Sequence, residues 1–347
     1  LALWLASLVF FLTLTPSYPQ SWDWSATLVA VLGLDPFRPL SHPLWQFLVS
    51  ALNPLAGPRL VGAVNVVSAL LGSCSIWLVF QIVSRLRYQR SEMRARKGPV
   101  AQPRLGVTAG VVAALYAVAT VPMLVISTRS HPLSLSALLL LLALFLMVLF
   151  REDGKLSRWY VFALVFGLGS VEFATFLLVA PLMLAGWLWM LWTARKLNRG
   201  VLLKALPLMA VGVVVGLIFC WRYFQQPVAE WRQFASPFTV MHYFVTDQLW
   251  QVLHSVPRLG WLVVFLFMVV PAAQLLGRGF EVAEDLFTRI GLYAFRAMMA
   301  VLAVVPLLNL ASSPWKLAGL SAPLVTPYLI TALWVGYMAG NWLAALS

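Results

Sequence analysis

Long apolar runs separated by short polar turns dominate the chain. They cover approximately residues 1–14, 60–84, 105–127, 133–150, 159–170, 172–193, 205–221, 259–277, 297–312 and 318–345. About 20 apolar residues of helix cross a bilayer core. The pattern therefore predicts an all-α polytopic membrane protein with about nine or ten transmembrane or half-membrane helices, in one transmembrane domain over residues 1–347. The 159–193 stretch is ambiguous, because its length makes about 52 Å of helix, too long for one upright span and short for two. Gly167 and Gly169 predict a break there, giving two short helices or a re-entrant element. The tryptophan-rich end from Trp187 to Trp192 suits an interfacial aromatic belt.

Most connections are tight, but two are long. Loops beyond about 12–15 residues tend to carry function. With Leu1 on the cytoplasmic side, both face outward: Thr15 to Arg59, and Arg222 to Arg258. In the first, Ser25–Leu34 and Leu44–Leu55 have helical apolar spacing yet are too short to span. They read as interfacial helices, with Trp22, Trp24 and Trp45 at headgroup depth.

Composition narrows the class. The 347 residues are 62% apolar and only 10% charged, which excludes a soluble enzyme, a disordered chain and a disulfide-stapled domain. The net charge of +13 follows topology, since 17 of the 24 lysines and arginines fall in the inward loops 85–104, 151–158, 194–204 and 278–296. Nucleic acid is not an expected partner, because Tyr88 is the only aromatic residue in the most basic loop. Cys74 and Cys220 both lie in apolar runs and read as core thiols. The chain starts at Leu1 already inside an apolar run, as expected for part of a longer protein.

The outward side collects a small set of ionisable groups: Asp23, His42, Arg129, His131, Glu172 and Arg222. Charges inside a bilayer are costly and usually face a cavity or a partner. Each also has a plainer reading. Asp23 can cap a helix at Ser25, His42 and His131 precede prolines in turns, and Glu172 can pair with an arginine. Arg129 and Arg222 can be snorkelling interface anchors. Together, beside two long loops, the six predict an outward-opening cavity. The four histidines (His42, His131, His242 and His254) are too far apart in sequence to form a spaced metal motif. No GxSxG elbow, P-loop or HExxH is present.

An ordered series of motifs then carries a family resemblance. Trp22-Asp23-Trp24-Ser25-Ala26, His42-Pro43-Leu44-Trp45, Val64 to Leu70, Ser130 to Leu138, Gly167 to Phe173, and Trp231 through Gln248 follow one another along the chain. The series resembles a bacterial multi-span family of the polyprenyl-phosphate-dependent (GT-C type) glycosyltransferase superfamily, with its WDSGE…HPPGYPLY-like signature. Protein O-mannosyltransferases are more distant relatives by architecture. The resemblance implies a GT-C-like bundle and transfer of a sugar, with inversion, from a lipid-linked phosphate donor on the non-cytoplasmic face of the bacterial inner membrane. It makes Asp23 the base that deprotonates the acceptor. Arg222, Arg129, His131, Glu172 and His42 become contacts to phosphate or acceptor.

The sequence departs from the family at four polar positions. Ala26 stands where the second acid is expected, the HPPG glycine is missing, His131 or Pro132 replaces a glutamate, and Glu172 replaces a histidine. The second reading is therefore a catalytically silent relative acting as a structural subunit of a membrane complex, with protein partners. A transporter ranks third, because the break near Gly167 has no counterpart in the second half. Membrane lipid and a polyprenyl-phosphate sugar are the expected partners. No resident metal is expected, although a divalent cation bridging Asp23 and the donor phosphate is compatible with the resemblance.

Overall fold

The computed structural model describes residues 1–16, 42–86, 103–172, 174–224, 242, 246 and 325–346. The expected helix over 25–34, the loop 222–258 beyond the end of its preceding helix apart from residues 242 and 246, and the runs 259–277 and 297–312 lie outside these residues. The described chain is helical, and it confirms an all-α polytopic membrane protein. Its helices are α1 (Ala2–Leu14), α2 (Pro43–Ala56), α3 (Leu60–Ser84), α4 (Pro103–Ala119), α5 (Val121–Thr128) and α6 (Leu133–Asp153). They continue with α7 (Leu156–Glu172), α8 (Ala174–Thr193), α9 (Arg199–Phe224) and α10 (Val325–Leu346). Among the described residues, three stretches are long and apolar enough to cross a membrane: Pro43–Ser84, Leu133–Asp153 and Arg199–Ile218. A fourth appears if α4 and α5, bent by 72° at their junction, are one broken span.

That bend corrects the expectation of one continuous run over 105–127. Pro122, at the second position of α5, lacks an N–H, and its ring excludes the carbonyl four residues earlier. The Thr120 hydroxyl instead donates to the Ala117 carbonyl at 2.7 Å, satisfying a group that the broken ladder frees.

The described chain falls into two compact units. The first comprises Leu1–Ser75 and Ile126–His254, and the second Ile76–Val125 and Ser255–Ser347. In the second unit α10 packs along α4. Small residues allow this, since a Cβ at Gly336 would lie 2.5 Å from the Ala113 Cβ and 2.9 Å from the Ala109 carbonyl. Lipid tails are as apolar as the helices, so close backbone approach supplies the packing energy in place of a hydrophobic drive.

In the first unit α7 is central and packs against α6, α8, α9 and α2. Gly167 and Gly169 lie within this helix, which runs unbroken past both to Glu172. The glycines therefore serve contact and do not form a hinge. A Cβ on Gly167 would fall 2.8 Å from the Met209 carbonyl carbon, and one on Gly212 would fall 2.6 Å from the Leu168 nitrogen. Only hydrogen fits where α7 and α9 cross.

An aromatic knot closes the other end of α7. Trp187 lies 4.8 Å from Phe162, 5.4 Å from Trp159 and 5.0 Å from Phe150 between ring centroids. The Trp159 indole N–H donates to the Val201 carbonyl at 3.3 Å, tying the start of α9 to the knot. Trp187 is thus a core residue, which corrects its place in an interfacial belt; Trp192, 60% exposed, fits that belt better. Helix α6 stops at Gly154, whose φ of 63° is left-handed, and the Asn198 side chain accepts from Val201 N–H at 2.8 Å to open α9.

Candidate functional site

The start of α2 is the focus of the first unit's polar chemistry. Pro43 occupies the first helical turn, where its missing N–H costs nothing and its fixed φ favours entry. At fourteen residues α2 is about 21 Å long, shorter than a bilayer crossing, as expected for Leu44–Leu55. Helix N-termini leave backbone N–H groups without intrahelical acceptors. His42 holds the N-cap position, but its side chain does not cap the helix. The acceptors come from Glu172 at the end of α7. One carboxylate oxygen accepts from Leu44 N–H at 2.7 Å, and the other accepts from Trp45 N–H at 3.1 Å. Glu172 is fully buried. Among the described residues its partner is a helix terminus, where a carboxylate meets both donors and the positive end of the macrodipole, in place of the arginine that the plainer reading assigns.

This junction explains Trp45. The indole is fully buried and packs with Val49, Leu60 and Val64, which corrects its expected position at headgroup depth. With its backbone N–H fixed on Glu172, the side chain points into the α2–α3 contact.

Helix α3 supplies two further anchors. The Asn65 side-chain amide donates to the Pro16 carbonyl at 2.9 Å. One turn on, the Ser68 hydroxyl accepts from the His131 backbone N–H at 3.4 Å. His131 is fully buried between α5 and α6. Its Nδ1 accepts from Leu133 N–H at 3.0 Å, and its carbonyl accepts from the Ser134 hydroxyl at 2.8 Å. Neither Asn65 nor Ser68 stood out in the sequence reading, although both lie in the quoted Val64–Leu70 motif. The available signal was two polar residues three apart, hence on one helical face, in an otherwise apolar span.

His42, Arg129 and His131 all sit in connections outside the spanning helices. Burial alone pushes the His42 imidazole down to about 3. Burial, then the neighbouring His42, then Arg129, hold His131 well below the ordinary imidazole range. Burial also lowers partly exposed Arg129 below the usual guanidinium range. The structure thus brings the His42 imidazole and the Arg129 guanidinium each within electrostatic reach of His131, and it places Glu172 on the adjoining α2 terminus. Asp23 lies outside the described residues, and Arg222 is placed only as part of the last turn of α9.

Beside Asn65, the ends of α1 and α2 and the start of α3 enclose an open cavity of about 650 Å³. Its walls are mostly apolar, from Leu12, Leu52, Leu55 and Val66, with Pro16 and the exposed Arg59 contributing polar edges. No cluster of three metal-ligating side chains occurs among the described residues.

The model of one protein family, described as the protein O-mannosyl-transferase TMEM260 N-terminal domain, matches residues 36–198. The matched stretch runs from before His42 to the turn before α9, so it contains Arg129, His131 and both sides of the Glu172 junction. Asp23 and Arg222 fall outside it. No curated protein and no solved structure matches the chain. The chain is therefore similar, over this stretch, to an O-mannosyltransferase-like glycosyltransferase family.

Proposed function

We propose that this chain is the membrane domain of a GT-C-like glycosyltransferase that moves a sugar from a polyprenyl-phosphate donor to an acceptor hydroxyl. The reaction takes place on the non-cytoplasmic face of a bacterial inner membrane. The observation that carries the reading is the match over 36–198 to an O-mannosyltransferase family domain, which spans the built polar junction around Glu172.

In this reaction the acceptor oxygen attacks the anomeric carbon while the bond from that carbon to the phosphate oxygen breaks. Asp23 takes the acceptor proton as general base. Negative charge grows on the departing prenyl phosphate, and Arg129 and Arg222 are the cations assigned to it. His131 and His42, kept neutral, offer hydrogen bonds to sugar or acceptor hydroxyls without competing for the phosphate as cations. The apolar cavity edged by Arg59 supports a lipidic substrate with an anionic head.

The test is reconstitution in liposomes with a polyprenyl-phosphate-linked sugar, followed by measurement of released prenyl phosphate. The wild type is expected to turn over and Asp23→Ala to be inactive. Full activity in Asp23→Ala removes the general-base assignment. Donor binding by the wild type with no release under any acceptor supports the second reading, a silent relative, which Ala26 in place of a second acid favours.

A further inference from the structure

We propose that the paired turns after α6 and α8 form a binding surface for an anionic phospholipid headgroup, with Arg195, Arg199 and Lys204 as its cations. The inference is independent of the proposed sugar transfer and uses none of its residues.

The backbone at the end of α8 gives the first reason. Arg195 N–H donates to the Trp192 carbonyl at 2.9 Å, and Lys196 N–H donates to the Leu191 carbonyl at 2.8 Å. This closed turn puts one residue in the left-handed region, a place that glycine, or sometimes asparagine, usually fills. Here it holds Arg195, with φ 54°. Among the described residues, Arg195 is the only non-glycine residue with positive φ. The turn after α6 makes a similar demand and meets it with Gly154, φ 63°. A side chain in this conformation carries a backbone cost that glycine avoids. At Arg195 the cost falls on an exposed guanidinium, and such outliers point to a use for the side chain.

The surroundings name the ligand. The Lys196 ammonium donates to the Gly154 carbonyl and clamps the two turns side by side. On the first turn, Asp153 is engaged by Lys155 and Arg158, at 3.9 and 3.4 Å. On the second, Arg195, Arg199 and Lys204 are exposed, and no ion pair holds them among the described residues. The surface beside them is apolar: Trp192, Leu203 and Leu206 are 60%, 64% and 58% exposed. Trp192 pairs with Trp189, ring centroids 5.0 Å apart, and exposed indoles suit the level where acyl chains meet headgroups. Lys204 follows Arg199 by about 7.5 Å of helix, and a lysine there can lay its stem on the apolar surface while its amine stays at the water. Cations bordering exposed apolar surface match an amphiphile with an anionic phosphodiester head, such as phosphatidylglycerol. Topology alone asks only for basic residues in these loops, in any conformation. The left-handed arginine and the clamp fix one arrangement of them.

The experiment is native mass spectrometry of the full-length protein in detergent, titrated with phosphatidylglycerol and phosphatidylcholine of matched acyl chains. The wild type should retain phosphatidylglycerol about tenfold or more in preference to phosphatidylcholine. Arg195→Gly should weaken phosphatidylglycerol binding about fivefold and leave phosphatidylcholine binding unchanged. In lipid-free detergent the same variant should melt at or above the wild-type temperature, because glycine suits the left-handed position. Arg199→Ala and Lys204→Ala should each lose binding to a similar extent. Arg104→Ala removes an exposed cation of the second unit and should change binding less than about twofold. A wild type without preference for the anionic lipid overturns the site. Equal losses in Arg104→Ala show a diffuse surface charge and overturn it as well. If Arg195→Gly melts well below the wild type, the arginine is structural and its ligand role fails. Displacement of the lipid by millimolar inorganic phosphate shows a site for soluble anions and overturns the lipid assignment.

Discussion

Substitution of Gly212 by alanine tests the contact on which the site depends. A Cβ there would meet the Gly167 carbonyl and lie 2.6 Å from the Leu168 nitrogen. All of these are backbone atoms, so no side chain can rotate away. Ordinary carbon contacts begin near about 3.5 Å, and the carbonyl contact is the closest of the three, so α7 and α9 must separate by about 1.5 Å. Overpacking of this kind costs about 1–3 kcal/mol. At about 2–4 °C per kcal/mol for a domain of 150–250 residues, a loss of 3 kcal/mol lowers the apparent melting temperature by about 6–12 °C. The shift per kcal/mol is smaller in a longer chain. Tryptophan fluorescence in detergent at fixed scan rate reads this directly, since Trp187 and Trp159 sit in the same unit. Gly62→Ala is the control. It lies within α3, has nothing within 4 Å of the added methyl, and should gain slightly from better helix propensity. A Gly212→Ala protein that melts with the wild type would refute the close crossing. The prediction carries a corollary: separated helices move Glu172 off α2, so amide exchange at Leu44 and Trp45 should rise.

Three further outcomes follow. As the pH drops below about 6.5, apparent stability should fall because the buried His131 imidazole stays neutral in the folded chain while the unfolded chain takes up a proton. Above about pH 6.5 that contribution is fully present, and His131→Asn, whose oxygen can also accept from the N–H two residues on, should flatten the acid slope in a pH series of melts. Asn198→Ala removes the acceptor for Val201 N–H at the start of α9 and should cost about 1 kcal/mol in the same assay, with no loss of donor affinity. Neutralising Arg222 should weaken lipid-donor binding far more than acceptor binding in the liposome assay. Equal effects would mark that arginine as structural.

Hydrophobic pattern alone located most of the described helices, because in a bilayer only a helix satisfies its own backbone. The run 60–84 coincides with α3, 133–150 with most of α6, and Leu44–Leu55 with α2. Basic loops likewise gave an orientation expectation from local charge. Local pattern could not distinguish a glycine that bends a helix from one that admits a neighbour. Gly167 was therefore legible as special but not as a contact, since its reason is Met209, 42 positions away. The tryptophans follow the same rule. An indole suits headgroups or core equally, and only the packing of α2 on α3 buries Trp45. The site divides in the same way. Residue type and cost of burial singled out Glu172, His131 and Arg129, because isolated polar groups in apolar sequence need a partner. Which partner they find is a long-range fact. That Glu172 meets a helix terminus, and that Asn65 meets Pro16, was decided when α2, α3 and α7 came together.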